Sequence, residues 1–166
     1  MIAFSSGDAI TSPSGGVGNT FSRNDLHSNN FAIDLGPNGS TANDAGDADS
    51  GANRLQNSPD ITADVSVNQI SGSLANVTIS YRVDTAPANA TFPLVVEFFL
   101  SDATGTDAFF IGSDSYDTSD HSAGIKTITL TGVSIVGLPL DSLVATTTDG
   151  DGNTSELSAA ANVNLI

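Results

Sequence analysis

Through most of the C-terminal two thirds of the chain every second residue is apolar, and this alternation restricts the fold more than any other feature. In "NVTISYRVD" the residues Val77, Ile79, Tyr81 and Val83 share one face. In "ITADVSVNQI" the face is Ile61, Ala63, Val65 and Val67. Successive side chains of a strand point to opposite sides, so a period of two predicts strands half-buried on a sheet. "GIKTITLTGV" sets Lys126, Ile128 and Leu130 against Ile125, Thr127 and Thr129. "FPLVVEFFLSD" is a near-continuous apolar run and predicts a central strand covered on both faces. "AFFIGSD", "DSLVATTTD" and "ELSAAANVNLI" complete the set, with turn residues between runs. Pro87 and Pro139 fall in those loops, and Pro93 stands early in its run, where a strand tolerates it. The pattern predicts an all-β fold, a seven-stranded immunoglobulin-like antiparallel sandwich over residues 60–166.

Residues 1–42 read differently. "VGNTFSRNDLHSNNFAIDLG" carries short apolar pieces divided by Asn and Ser. Phe21, Leu26 and Phe31 are spaced by five residues, each two positions after an asparagine (Asn19, Asn24, Asn29). Inward apolar residues with asparagine-rich corners predict a short β-helix-like segment of about one and a half rungs. An irregular β-rich arm packed on the sandwich is the alternative.

Between the two lies an acidic linker, residues 43–59, "NDAGDADSGANRLQNSP". The chain carries 19 acidic against 4 basic side chains, a net charge of -15. That balance argues against a nucleic-acid partner, which requires a basic footprint. All the acids but Glu97 and Glu156 are aspartates. An excess of the shorter carboxylate points to Asx turns and to calcium loops rather than to general acidification. There is no cysteine, so no disulfide framework and no thiolate metal site. No apolar run approaches the roughly 20 residues of a membrane span. No signal peptide opens the chain, and Met1 followed by "IAFSSGDAI" reads as a cut within a longer protein.

Calcium takes six to eight oxygen ligands. The linker offers Asn43, Asp44, Asp47, Asp49 and Asn53, with Gly46 and Gly51 to let the backbone turn. Counted from Asp47, the twelfth position is Ser58 rather than a bidentate glutamate, so this is no EF-hand. The alternative is an Asx-turn loop closed by its own backbone bonds. "DGDGNTSE" offers Asp149, Asp151 and Asn153, with Glu156 as a further candidate, as a second calcium set, against which stands a plain hairpin turn. A third group, Asp102, Asp107, Asp114, Asp117 and Asp120 with His121, reads as solvated loop charge at one end of the sandwich.

"NTFSRNDLHSNNFAIDLGPNG", "ANDAGDADSGANRLQN" and "ATTTDGDGNTSELS" together resemble a junction in large secreted bacterial surface proteins, where the last β-helix rungs run through an acidic linker into an immunoglobulin-like domain. The resemblance implies an extracellular or cell-surface, adhesin-like architecture and no defined reaction. The residues agree: no HExxH, no GxSxG and no phosphate loop occurs, and no group has an evident catalytic role. The expectation is a non-enzymatic structural or adhesion module rigidified by calcium. Open β edges would allow self-association into fibres, and a glycan or cell-surface protein is the expected partner class. The competing expectation is a carbohydrate-binding module, although the chain has no Trp and only Tyr81 and Tyr116.

Overall fold

A computed structural model describes every residue except Pro13, Pro37 and Asn38. The protein is mostly β. The N-terminal region forms four short strands, β1 (Ile2–Ala3), β2 (Ile10–Ser12), β3 (Leu26–His27) and β4 (Ile33–Leu35). β1 pairs with β3 and β2 with β4, both in parallel, with Ile2 opposite Leu26 and Ile10 opposite Ile33. The chain therefore winds through two stacked turns. Their repeat is the separation of those partners, not the five-residue step of Phe21, Leu26 and Phe31. Of those three only Leu26 is fully buried. Asparagine and aspartate side chains tie turn to turn: Asn29 Nδ2 donates to the Ile2 carbonyl, and Asp8 accepts from Asn30 Nδ2 and the Phe31 N–H.

After the linker come β5 (Asp60–Ile61), β6 (Val65–Ser71), β7 (Leu74–Arg82), β8 (Leu94–Ser101), β9 (Phe109–Tyr116), β10 (Lys126–Ser134), β11 (Ser142–Thr148) and β12 (Ala161–Leu165). A helix of six residues, α1 (Thr118–Ala123), follows β9 where the sequence reads as loop. Asp117 caps it and Asp120 completes a capping box, which explains a helix too short for a periodic signal. Each of the seven predicted runs holds a strand, and β5 is an additional short one pairing with β7. The strand order is β10-β7-β6-β12-β11-β8-β9. β12 carries this path from one layer to the other. Its first two residues pair antiparallel with β11, and Val163–Leu165 pair in parallel with Val65–Val67 of β6.

The alternation seen in the sequence fills the space between the layers. Val65, Val67, Val77, Ile79, Tyr81, Leu94, Val96, Phe98, Leu100 and Leu143 all lie in one buried cluster. β8 and β11 are buried on their other face too. Phe99 and Val144 pack there against Leu26, Ile33 and Leu35 of the coiled N-terminal turns. β3 also exchanges two backbone bonds between Leu26 and Ala108, just before β9. The doubly covered character predicted for "FPLVVEFFLSD" thus comes from the sandwich interior on one side and the N-terminal turns on the other.

Candidate metal centre in the linker

Residues 44–49 form a tight loop packed against residues 56–57 of the linker and the segment that follows β7. Gly46 and Asp47 both take left-handed backbone, with φ of 74° and 62°. Glycine does so without steric cost, and Asp is among the few other residues that tolerate it. Asp47 is buried. Its Oδ1 accepts from the Asn57 N–H at 3.0 Å, and its Oδ2 accepts from Gln56 Nε2 at 2.6 Å and Thr85 Oγ1 at 3.1 Å. The Gly46 carbonyl accepts from the Ala86 N–H and from Asn89 Nδ2. The loop is thereby pinned both to the end of the linker and to the segment that follows β7.

Asp44, Asp47 and Asp49 each place a carboxylate oxygen within 4.8 Å of the others, a group that could hold a metal ion. At that separation two full charges repel by roughly 1 kcal/mol in bulk water and by roughly 3–4 kcal/mol at the effective dielectric of a protein surface. Protein cations do not relieve this. Arg23 pairs with Glu97, Arg54 with Asp151, Arg82 with Asp60, and Lys126 with Asp114 and Asp120. The chain has no other Lys or Arg. Burial pushes the Asp47 carboxyl up to about 6, with the charges of Asp44 and Asp49 adding to it against the Asn57 and Thr85 hydrogen bonds. Burial and the neighbouring Asp44 raise Asp49 as well. A divalent cation would remove both charge repulsions at once.

The other residues predicted as ligands lie elsewhere. Asn43 closes the base of the linker, donating from Nδ2 to the Ser58 carbonyl and accepting the Ser58 N–H on Oδ1. Asn53 is fully buried and faces away from the triad. Its Oδ1 accepts from the Asn19 N–H and Nδ2, and its own Nδ2 donates to the carbonyls of Asn19 and Thr154. Asp149, Asp151 and Asn153 form a turn that is complete without an ion. Asp149 Oδ1 accepts from the N–H groups of Asp151 and Asn153, and Oδ2 accepts from Asn153 Nδ2. Asp151 takes the Arg54 guanidinium at 3.6 Å and the Thr91 hydroxyl. The hairpin alternative accounts for this set.

Two buried glutamates anchor the N-terminal turns in a role that no motif indicates. Glu97 accepts from Ser22 Oγ at 2.6 Å and the Arg23 N–H at 2.8 Å. Glu156 accepts from the N–H groups of Leu35 and Thr41, and burial raises its carboxyl, with Asp34 adding to the shift. Both anchor the N-terminal turns to the sandwich. The one available signal was Glu97 itself, a charge inside an apolar run, which marks a face covered by something polar. The third acidic group is consumed locally: Asp114 and Asp120 hold Lys126, Asp117 caps α1, Asp107 accepts the Ser28 N–H, and Asp102 closes a turn with Thr104 and Gly105. No protein-family model matches the chain, and no curated protein matches it.

Proposed function

We propose that this chain is a non-enzymatic extracellular structural and adhesion module in which calcium, held by Asp44, Asp47 and Asp49, stiffens the link between an immunoglobulin-like sandwich and a short β-helix-like segment. The observation that carries the reading is the convergence of three carboxylates in the linker while every Lys and Arg is engaged elsewhere. Calcium suits it better than magnesium, because calcium tolerates an irregular shell completed by carbonyls and water. Three carboxylates without a bidentate glutamate favour a weak site, with Kd on the order of 10⁻⁴–10⁻³ M, the range of extracellular modules. Support for the sandwich assignment comes from the parallel pairing of the first long strand with the last, β6 with β12. The stacked parallel pairs β1–β3 and β2–β4 support the β-helix reading.

Calorimetric titration of chelator-stripped protein with calcium, paired with thermal melts, tests the proposal. A single saturable event that Asp44→Asn abolishes is expected. Stabilisation should reach about 2.7 kcal/mol when free calcium is ~100 times Kd. No heat and an unmoved melt at 10 mM calcium would remove the metal from the reading.

Self-association has its own support in the free outer edge of β1, where Met1, Ile2 and Phe4 are exposed. Phe4 ends a row of rings, packing edge-on against His27, which stacks on Phe109. Copies each carrying -15 repel, so association should need salt or calcium. Light scattering that reports a monomer at high concentration in both would dismiss it. Carbohydrate binding gains no comparable support, since Tyr81 and Tyr116 are both buried in the core.

A further inference from the structure

We infer that the groove between Pro59–Asp64 and Ala159–Asn162 takes an extended basic peptide segment of another protein, added as a strand along the open edge that precedes β12. β12 pairs with β11 through Ala161 and Asn162 but reaches β6 only from Val163, opposite Val65. Upstream of that point the two segments part, leaving about 630 Å³ between them. The space continues past Ser40 and Ser58 as a second trough of about 310 Å³.

On each bank of this space one residue is left with unpaired backbone. The Val163 N–H donates to the Asp141 carbonyl and the Ile166 N–H to Val67, which sets the direction of every second peptide group. The Ser158 N–H also donates to β11, at the Ala145 carbonyl, so the alternation breaks between Ser158 and Ala161, at the exposed Ala160 that lines the groove. Among the described residues neither the N–H nor the C=O of Ala160 has a protein partner, and the same holds for Ala63 on the opposite bank. Edges left open are usually blunted by a lysine, a proline or a bulge. Here the edge side chains are Ala159, Ala160 and Ala161, too small to keep an incoming backbone away.

Strand addition is the recognition mode that uses such an edge, with main-chain bonds giving affinity. Charge selects the occupant. Asp64 lies on the far bank beside the Asp60–Arg82 pair, and the chain as a whole carries -15, which disfavours acidic segments and a second copy alike. Alternating lysine or arginine on the exposed face of the added strand complements that field. None of these residues belongs to the carboxylate triad, so the inference stands apart from the calcium proposal and is tested in chelator.

The probe is the octapeptide acetyl-(Val-Lys)₄-amide, titrated into ¹⁵N-labelled full chain, beside the same peptide N-methylated at alternate residues. Saturable amide shifts confined to 59–64 and 157–162 are expected with the first peptide and not with the second. Ala160→Pro, which removes one edge N–H at an exposed position, should weaken binding at least tenfold while leaving the remaining spectrum in place. Equal binding of both peptides, shifts scattered over the acidic surface, the same residues responding to a neutral oligosaccharide instead, or no shift at millimolar peptide would each overturn the inference.

Discussion

The loops at 44–49 and 149–153 are built from the same residues, aspartates separated by small or glycine positions, yet their carboxylates end in different states. Asp149 has three donors from its own turn: two backbone N–H groups and the Asn153 amide. Asp151, next to it, has a guanidinium. Asp44 accepts the Ala48 N–H and Asp47 accepts three donors of its own, but the two also crowd against each other and against Asp49, and every Lys and Arg is paired elsewhere. The difference lies in the backbone. Residues 149–153 make a tight turn between the bridged Thr148 and Thr154, in which the N–H groups of Asp151 and Asn153 point at the first carboxylate. The linker loop is longer and pinned at its ends by Asn43 to Ser58 and by Asp47 to Thr85, so its carboxylates converge from separate turns. Aspartate density therefore does not indicate a metal site; what each carboxylate already accepts does.

The sharpest way to break this contrast is to remove the self-contained carboxylate. Asp149→Ala strips the acceptor from three buried or half-buried donors at the hairpin that docks on Gly18 and Phe21. Leaving such donors unsatisfied should cost about 3 kcal/mol or somewhat more. In a domain of this size that lowers Tm by roughly 10 °C. The calcium isotherm, corrected for the folded fraction, should be unchanged. A calcium response lost along with the stability would mean that the two loops act as one site.

Acid separates the loops a second time, and with the opposite sign to common acid denaturation. The Asp47 carboxyl titrates in the folded protein at about 6, against an ordinary value of 3.8. A group raised on folding stabilises the protonated protein. Its contribution is complete below pH 3.8 and is lost as pH rises through 6. In chelator, stability should rise as pH falls across that window by at most about 3 kcal/mol. Calcium should invert the trend, because it binds the ionised carboxylates and competes with the protons. Urea melts from pH 4 to 7 on wild type and Asp47→Asn check this. A wild-type curve that matches the variant at every pH would show that Asp47 is not the titrating group.

The contrast also shows how far a single sequence carries. The sandwich was legible because its strands expose one face, and a period of two records that directly. The double burial of "FPLVVEFFLSD" was legible for the same reason, though not what covers its second side. The N-terminal turns were legible only as β-rich stacking. Their true repeat joins Ile2 to Leu26 and Ile10 to Ile33, and too few turns are present for a period to stand out. At the site, Asp44, Asp47 and Asp49 were recoverable from crowding alone. Asn53 has its side chain taken up in tying distant backbones, Asn19 to Thr154, a role that leaves no mark in local sequence. The anchoring roles of Glu156, a candidate ligand by sequence, and of Thr85 leave no local mark for the same reason: they depend on partners 121 and 38 positions away.

The smallest expected effect tests the electrostatic half of the argument by itself. Asp49 is the exposed member of the triad, and burial and the nearby Asp44 raise its carboxyl. In a metal-free loop, deleting its charge relieves repulsion and removes no protein hydrogen bond. Solvent screens an exposed group, so the gain should be only a few tenths of a kcal/mol. Asp49→Asn should therefore be slightly more stable than wild type in chelator at pH 7, and the gain should fade as salt is added, since screening already does the same work. In saturating calcium the order should reverse, the variant having lost a charged ligand. Differential scanning calorimetry at two salt concentrations, with and without calcium, reads all four cases. A variant less stable than wild type in chelator would mean that Asp49 holds the loop by a contact, and that repulsion among the three carboxylates is not what a cation would be relieving.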